Sequence, residues 1–155
     1  HMLMRCYNAK FLAKNNTYIG CFVATDWFSF MAFRSWMEKQ DWQGKHLDKD
    51  FLGGGKLYSP DTCIFISPAL NYFMNAHGAG RGTYPLGVSK KGSRFQSHIR
   101  INAKGKNLGI FDTPEEAHAA WLSAKTKLAN DLIASERNPR IASGIREYIN
   151  RLHNN

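Results

Sequence analysis

Leu3, Met4, Tyr7 and Phe11 recur at helical spacing and predict a helix over residues 3–12, while residues 18–24 form a short β-rich run. Asp26 can cap a helix running to about residue 39, in which Trp27, Phe30, Met31, Phe33, Trp36 and Met37 cover a face wide enough to read as core. The pattern then changes to strand, Gly-rich turn, strand and helix. Residues 46–51 form the first strand, Gly53, Gly54 and Gly55 the turn, and residues 57–66 the return strand. Ser67 before Pro68 places an N-cap ahead of a proline at the first helical position and opens a short helix. Three glycines within residues 76–82 read as a linker. Beyond it, residues 87–90, 94–102 and 106–111 read as three strands, with Lys91-Gly92 and Lys104-Gly105 as tight turns. Thr113-Pro114-Glu115-Glu116 combines an N-cap hydroxyl with a capping-box glutamate, and Ala117, Ala120, Trp121, Ala124 and Leu128 fall on one stripe of the helix that follows. Asn138-Pro139 opens a final helix with Ile141, Ile145, Tyr148, Ile149 and Leu152 on its apolar stripe and Arg140, Arg146 and Arg151 off it.

This pattern predicts an α+β chain in three parts: a strand-strand-helix unit with N-terminal helices over residues 1–80, a three-stranded antiparallel sheet packed on one helix over 81–134, and a basic amphipathic helix over 135–155. At 155 residues, with 43% hydrophobic residues, the chain can build a core and is too short for a large multidomain enzyme. Its longest uncharged apolar stretch falls far short of the roughly 20 residues of a membrane span, and no basic-then-apolar leader follows the tag-like His1-Met2. A soluble, cytoplasmic protein without a membrane partner is expected. Cys6, Cys21 and Cys63 are odd in number and lack a CxxC pair, so buried, reduced thiols are expected rather than a disulfide framework or a zinc site.

Charge narrows the choice of partner. The chain carries a formal +9, a balance that suits a polyanion. Residues 1–80 hold eight basic and six acidic side chains, a net of +2, and residues 81–155 hold thirteen and six, a net of +7. Alternation along the second strand of the later sheet sends Phe95, Ser97, Ile99 and Ile101 toward a covering helix and Arg94, Gln96, His98 and Arg100 to the other side. Lys90, Lys91, Arg94, Arg100, Lys104 and Lys106 lie between residues 87 and 111 with no acidic residue among them. A duplex major groove, ~12 Å wide, admits strands, and there arginine can donate twice to guanine while Gln96 and Asn107 can pair with adenine. The turn lysines would neutralise phosphates. An ordinary solvated basic face is the alternative.

Gly87-Val88, the Phe95-x-x-x-Ile99 strand, Leu108-Gly109-x-Phe111 and Thr113-Pro114-Glu115-Glu116-Ala117 resemble the DNA-binding domain of the APETALA/ethylene-response-factor type, which also occurs in phage and bacterial homing-type endonucleases. The resemblance implies double-stranded DNA binding through the exposed sheet face, with Ser89, Lys91, Arg94, His98, Arg100 and Asn107 at the carried-over positions. Ser89 stands where arginine is usual and Asn107 where tryptophan is usual, so the target sequence does not carry over.

Residues 47–75 resemble the ββα-metal unit of HNH nucleases, with Leu47 to Asp50 where those enzymes have an Asp-His pair and residues 61–71 resembling the second strand and helix start. The resemblance implies Mg2+ or another divalent cation held by Asp48 and Asn71, with Asn75 one turn further on. Lys49 occupies the position of the histidine base, and an unperturbed lysine is protonated at neutral pH. Thr62 replaces the asparagine that orients that base. His46 shares strand parity with Asp48 and can be read as a displaced base or as a surface histidine. Two functions are thus expected: a homing-endonuclease-type protein that cleaves or nicks DNA with Asp48, Lys49, His46 and Thr62 in its catalytic unit, or an inactive DNA-binding regulator or site-masking protein that keeps this unit as scaffold. A bacterial cell infected by phage is the implied setting.

Overall fold

The structure is a computed structural model that describes residues 1–53, 55–75, 83–101 and 104–154. The fold is α+β, and the chain divides into two compact units, His1–Pro68 and Ala69–Asn155. The linker expected over residues 76–82 lies outside the described residues. Among the described residues, no helix is long and apolar enough to cross a membrane.

In the first unit, the N-terminal pattern folds as two short helices, α1 (Met2–Tyr7) and α2 (Ala9–Leu12). Asn8 separates them because its extended backbone ends α1 while its side chain caps α2 by accepting from Phe11 N–H at 2.9 Å. The β-rich run contracts to β1 (Phe22–Val23). Helix α3 (Phe30–Met37) starts later than Asp26 suggests: residues 25–28 form a 3₁₀ turn and Ser29 is the cap. Trp27 is buried and packs against Phe33 and Trp36, with ring centroids 5.1 and 4.7 Å away. Phe30 and Met31, expected in the core, are instead 68% and 65% exposed.

The anticipated hairpin also differs. After β2 (His46–Asp48), the return segment is two strands, β3 (Leu57–Tyr58) and β4 (Ile64–Ile66), split by a turn over residues 59–62. Strand β3 pairs in parallel with β1, and β4 pairs antiparallel with β2. Thr62 makes the split: its hydroxyl donates to Leu57 C=O at 2.8 Å and accepts from Ser59 N–H at 3.0 Å. Cys6, Cys21, Val23, Trp27, Tyr58 and Cys63 form the core of this unit. All three cysteines are free and buried. Burial raises the Cys6 thiol and pushes Cys63 up to about 11, so both stay protonated at neutral pH.

The second unit contains most of α4 (Pro68–Asn75), the antiparallel sheet β5-β6-β7 (Val88–Lys91, Arg94–Ile101, Lys104–Phe111), α5 (Pro114–Ser135) and α6 (Pro139–His153). Helix α5 starts at the expected capping box: Glu116 N–H donates to Thr113 Oγ1 at 3.2 Å and Thr113 N–H to Glu116 Oε2 at 3.3 Å. The helix packs against all three strands of the sheet. Lys104-Gly105 is strand rather than turn, pairing with Ile101 and Arg100.

The loop into β5 is fixed by α5. Gly87 has φ +76°, and a Cβ there would stand 2.0 Å from Cδ1 of Trp121. Only glycine permits both that backbone and a tryptophan ring lying on it. His118 stacks on Trp121 at 5.5 Å, with its Nδ1 2.9 Å from Leu86 C=O.

Candidate nucleic-acid interface

Burial along β6 follows the predicted alternation. Ser97 and Ile99 are buried and Phe95 and Ile101 half-buried, whereas Arg94, His98 and Arg100 are exposed and Gln96 half-buried. Opposed residues of an antiparallel pair share a face, so the register assigns the neighbours. Ser89 opposes Gln96 and Lys91 opposes Arg94 on one flank, and Ile110 opposes Gln96 and Asn107 opposes His98 on the other. The open face thus presents Lys91, Arg94, His98 and Arg100 with the amides of Gln96 and Asn107, and no carboxylate lies within its strands.

A β-bulge between Ser97 and His98 shifts the register, with consequences for two predicted contacts. Lys106 opposes Ile99 and Lys104 opposes Ile101, so both lysines belong to the helix-side pleat, exposed where α5 leaves them uncovered. Sequence parity on β6 alone could not reveal this.

The polar side chains of the open face differ in how far they are already engaged. Arg94 is paired: its Nε lies 2.7 Å from Asp112 Oδ1, and Nη2 is 3.5 Å from Ile110 C=O. Asn107 Oδ1 accepts from Gly109 N–H at 3.0 Å, which leaves its amide hydrogens as donors. Arg100 has no ion pair among the described residues.

The residues expected to carry nuclease chemistry are occupied otherwise. Asp48 Oδ1 accepts from Asp50 N–H and Phe51 N–H, each at 2.8 Å, and so closes the turn after β2. Lys49 is 5% exposed, bonded to Asp50 and to Gly55 C=O at 2.8 Å. Burial lowers its pKa but the bond and charge of Asp50 outweigh that, so the net direction is upward and Lys49 is a fixed cation, not a base. His46 is exposed at the start of β2 and opposes Ile66. Asp48 lies in the first unit and Asn71 in the second, while the side chain of Asn75 lies outside the described residues. Among the described residues no three His, Cys, Asp or Glu side chains cluster as metal ligands. Asp48 thus has one oxygen committed to the backbone and an ammonium as the next residue's side chain, which leaves only Oδ2 without a backbone bond.

A buried cation escaped the sequence reading. Lys125 is 2% exposed, donates to Phe73 C=O and lies 3.7 Å from the Phe73 ring centroid.

Comparison of the chain with family models, curated proteins and solved structures finds no match.

Proposed function

We propose that the protein binds double-stranded DNA, laying the open face of β5-β6-β7 in the major groove. The observation that carries this reading is the face itself: four cationic or imidazole side chains and two amides on a three-stranded sheet, with no carboxylate inside it. Three strands spaced ~4.8 Å apart are roughly 10 Å across, which suits a groove ~12 Å wide. Arg100 and Gln96 contact base edges, and Lys91 at the β5–β6 turn contacts phosphate. The β2–β4 region is a scaffold in this reading, because Asp48, Lys49 and Thr62 each hold a turn.

Selection from random duplexes, followed by titration at several salt concentrations, tests the proposal. Arg100→Ala is expected to lose ~1–3 kcal/mol on the selected duplex and to relax preference, whereas Lys91→Ala weakens all duplexes alike and reduces the salt slope by about 1. Lys104→Ala and Lys106→Ala, on the other pleat, change binding less than Lys91→Ala. Absence of salt-sensitive binding to any duplex would overturn the reading, as would equal losses for Arg100→Ala on selected and random DNA.

A further inference from the structure

Among the described residues, the acidic side chain paired with a cation of the open face is Asp112. Phe111 opposes Phe95, so the next residue of the chain falls beside Arg94, and its carboxylate forms an ion pair with the arginine, Oδ1 to Nε 2.7 Å. Both side chains stay exposed, at 51% and 79%. Exposed ion pairs add little to folding, and a carboxylate at the rim of a polyanion-binding face repels phosphate. Asp112 therefore weakens general attraction at that end of the sheet without a matching gain in stability. Costs of that kind are how binding surfaces acquire selectivity.

The geometry of the pair indicates what the selectivity is for. A guanidinium has five N–H donors in a rigid fork. Asp112 pairs with the Nε edge of the guanidinium as an ion pair, and Nη2 donates to Ile110 C=O. Both Nη1 hydrogens and one Nη2 hydrogen remain uncommitted, enough for the bidentate contact that guanine O6 and N7 accept in the major groove. Holding Nε also reduces the rotamer freedom Arg94 would lose on docking. Arg100, six residues further along the same strand and about 20 Å away, has no such support.

Building on the DNA-binding reading, we propose that Asp112 is a positioning residue that makes Arg94 a guanine reader, at the opposite end of β6 from Arg100. The test uses the full chain and duplexes selected from a random pool, with each guanine replaced in turn by 7-deazaguanine, which lacks the N7 acceptor. The wild type is expected to lose at least tenfold in affinity at one guanine. Asp112→Ala abolishes that sensitivity while binding random duplex as tightly or more tightly, and Asp112→Asn, which keeps an oxygen acceptor for Nε, retains most of it. A thermal melt of each variant within a few degrees of wild type identifies the effect as positional.

Asp112→Ala that keeps the full 7-deazaguanine sensitivity, or that loses affinity for selected and random duplexes in parallel, would overturn the assignment. Wild-type binding with no guanine dependence would overturn it and leave the DNA-binding reading standing. No salt-sensitive binding at all would overturn both.

Discussion

At the scale of single residues, the second unit depends on a backbone angle and a ring. Gly87 combines φ +76° with a Trp121 ring occupying the space a Cβ would need. Gly87→Ala forces a left-handed alanine, costing ~1 kcal/mol, and displaces a buried tryptophan at a further 1–3 kcal/mol. Urea unfolding is expected to show a loss of about 2–4 kcal/mol, and a variant within 0.5 kcal/mol of wild type would mean that the ring does not rest there. Gly87 was visible in the sequence as part of a strand-opening motif, but the reason for glycine was not, because Trp121 is 34 residues away in sequence. Asp48 shows the converse. Its residue type suggested a cation ligand, and only the two backbone N–H groups reaching Oδ1 show that the same carboxylate closes a turn.

At the scale of elements, α5 shows where hydropathy reading stops. Its buried positions are Ala117, Trp121, Lys125 and Ala129, each four residues from the last. The expected stripe of Ala117, Ala120, Trp121, Ala124 and Leu128 meets this line at Ala117 and Trp121 and then departs from it, because a lysine on a helix is ordinarily assigned to the solvent side. Lys125 lies on that buried line against two further elements: α4 supplies the Phe73 carbonyl and ring, and α6 supplies the Tyr148 ring at 5.5 Å. Neither contact brings a carboxylate. Burial lowers the Lys125 pKa from 10.5 to about 8.

The unfolded chain therefore binds more protons than the folded one between those values, and stability climbs as pH rises from 8 toward 10.5. A shift of that size corresponds to about 3 kcal/mol in full. Burial raises Tyr148 above its ordinary range, which works oppositely above pH 10. The raised Cys6 and Cys63 thiols also work oppositely, from about pH 9, their ordinary value, so the climb is cleanest between pH 8 and 9. Lys125→Met is expected to flatten the climb and to stabilise the protein at pH 7 by about 1–2 kcal/mol, since an apolar group replaces a buried charge. Denaturant midpoints across that pH range check both, and an unchanged slope would show that Lys125 is not the titrating group.

At the scale of the whole molecule, charge and chemistry separate between the two units. Residues 69–155 carry thirteen basic and six acidic side chains, a net of +7, and the first 68 carry eight and six, a net of +2. Most of the excess positive charge therefore belongs to the unit with the sheet, while the segment that resembles a nuclease begins in the other. Cleavage must be tested on the full chain, and the choice of variant matters. Asp48→Ala removes the acceptor of an exposed and a half-buried backbone N–H, about 1 kcal/mol each, so lost activity could reflect a loosened turn. Asp48→Asn keeps the acceptor oxygen and removes only the charge that a cation would need. With Mg2+ or Mn2+ present, the wild-type chain is expected to retard supercoiled plasmid on a gel and leave it uncut, and Asp48→Asn is expected to behave the same. Nicking by wild type that disappears in Asp48→Asn at unchanged DNA affinity would instead make Asp48 a metal ligand, and the scaffold reading of the β2–β4 region would fall while that of the sheet survived.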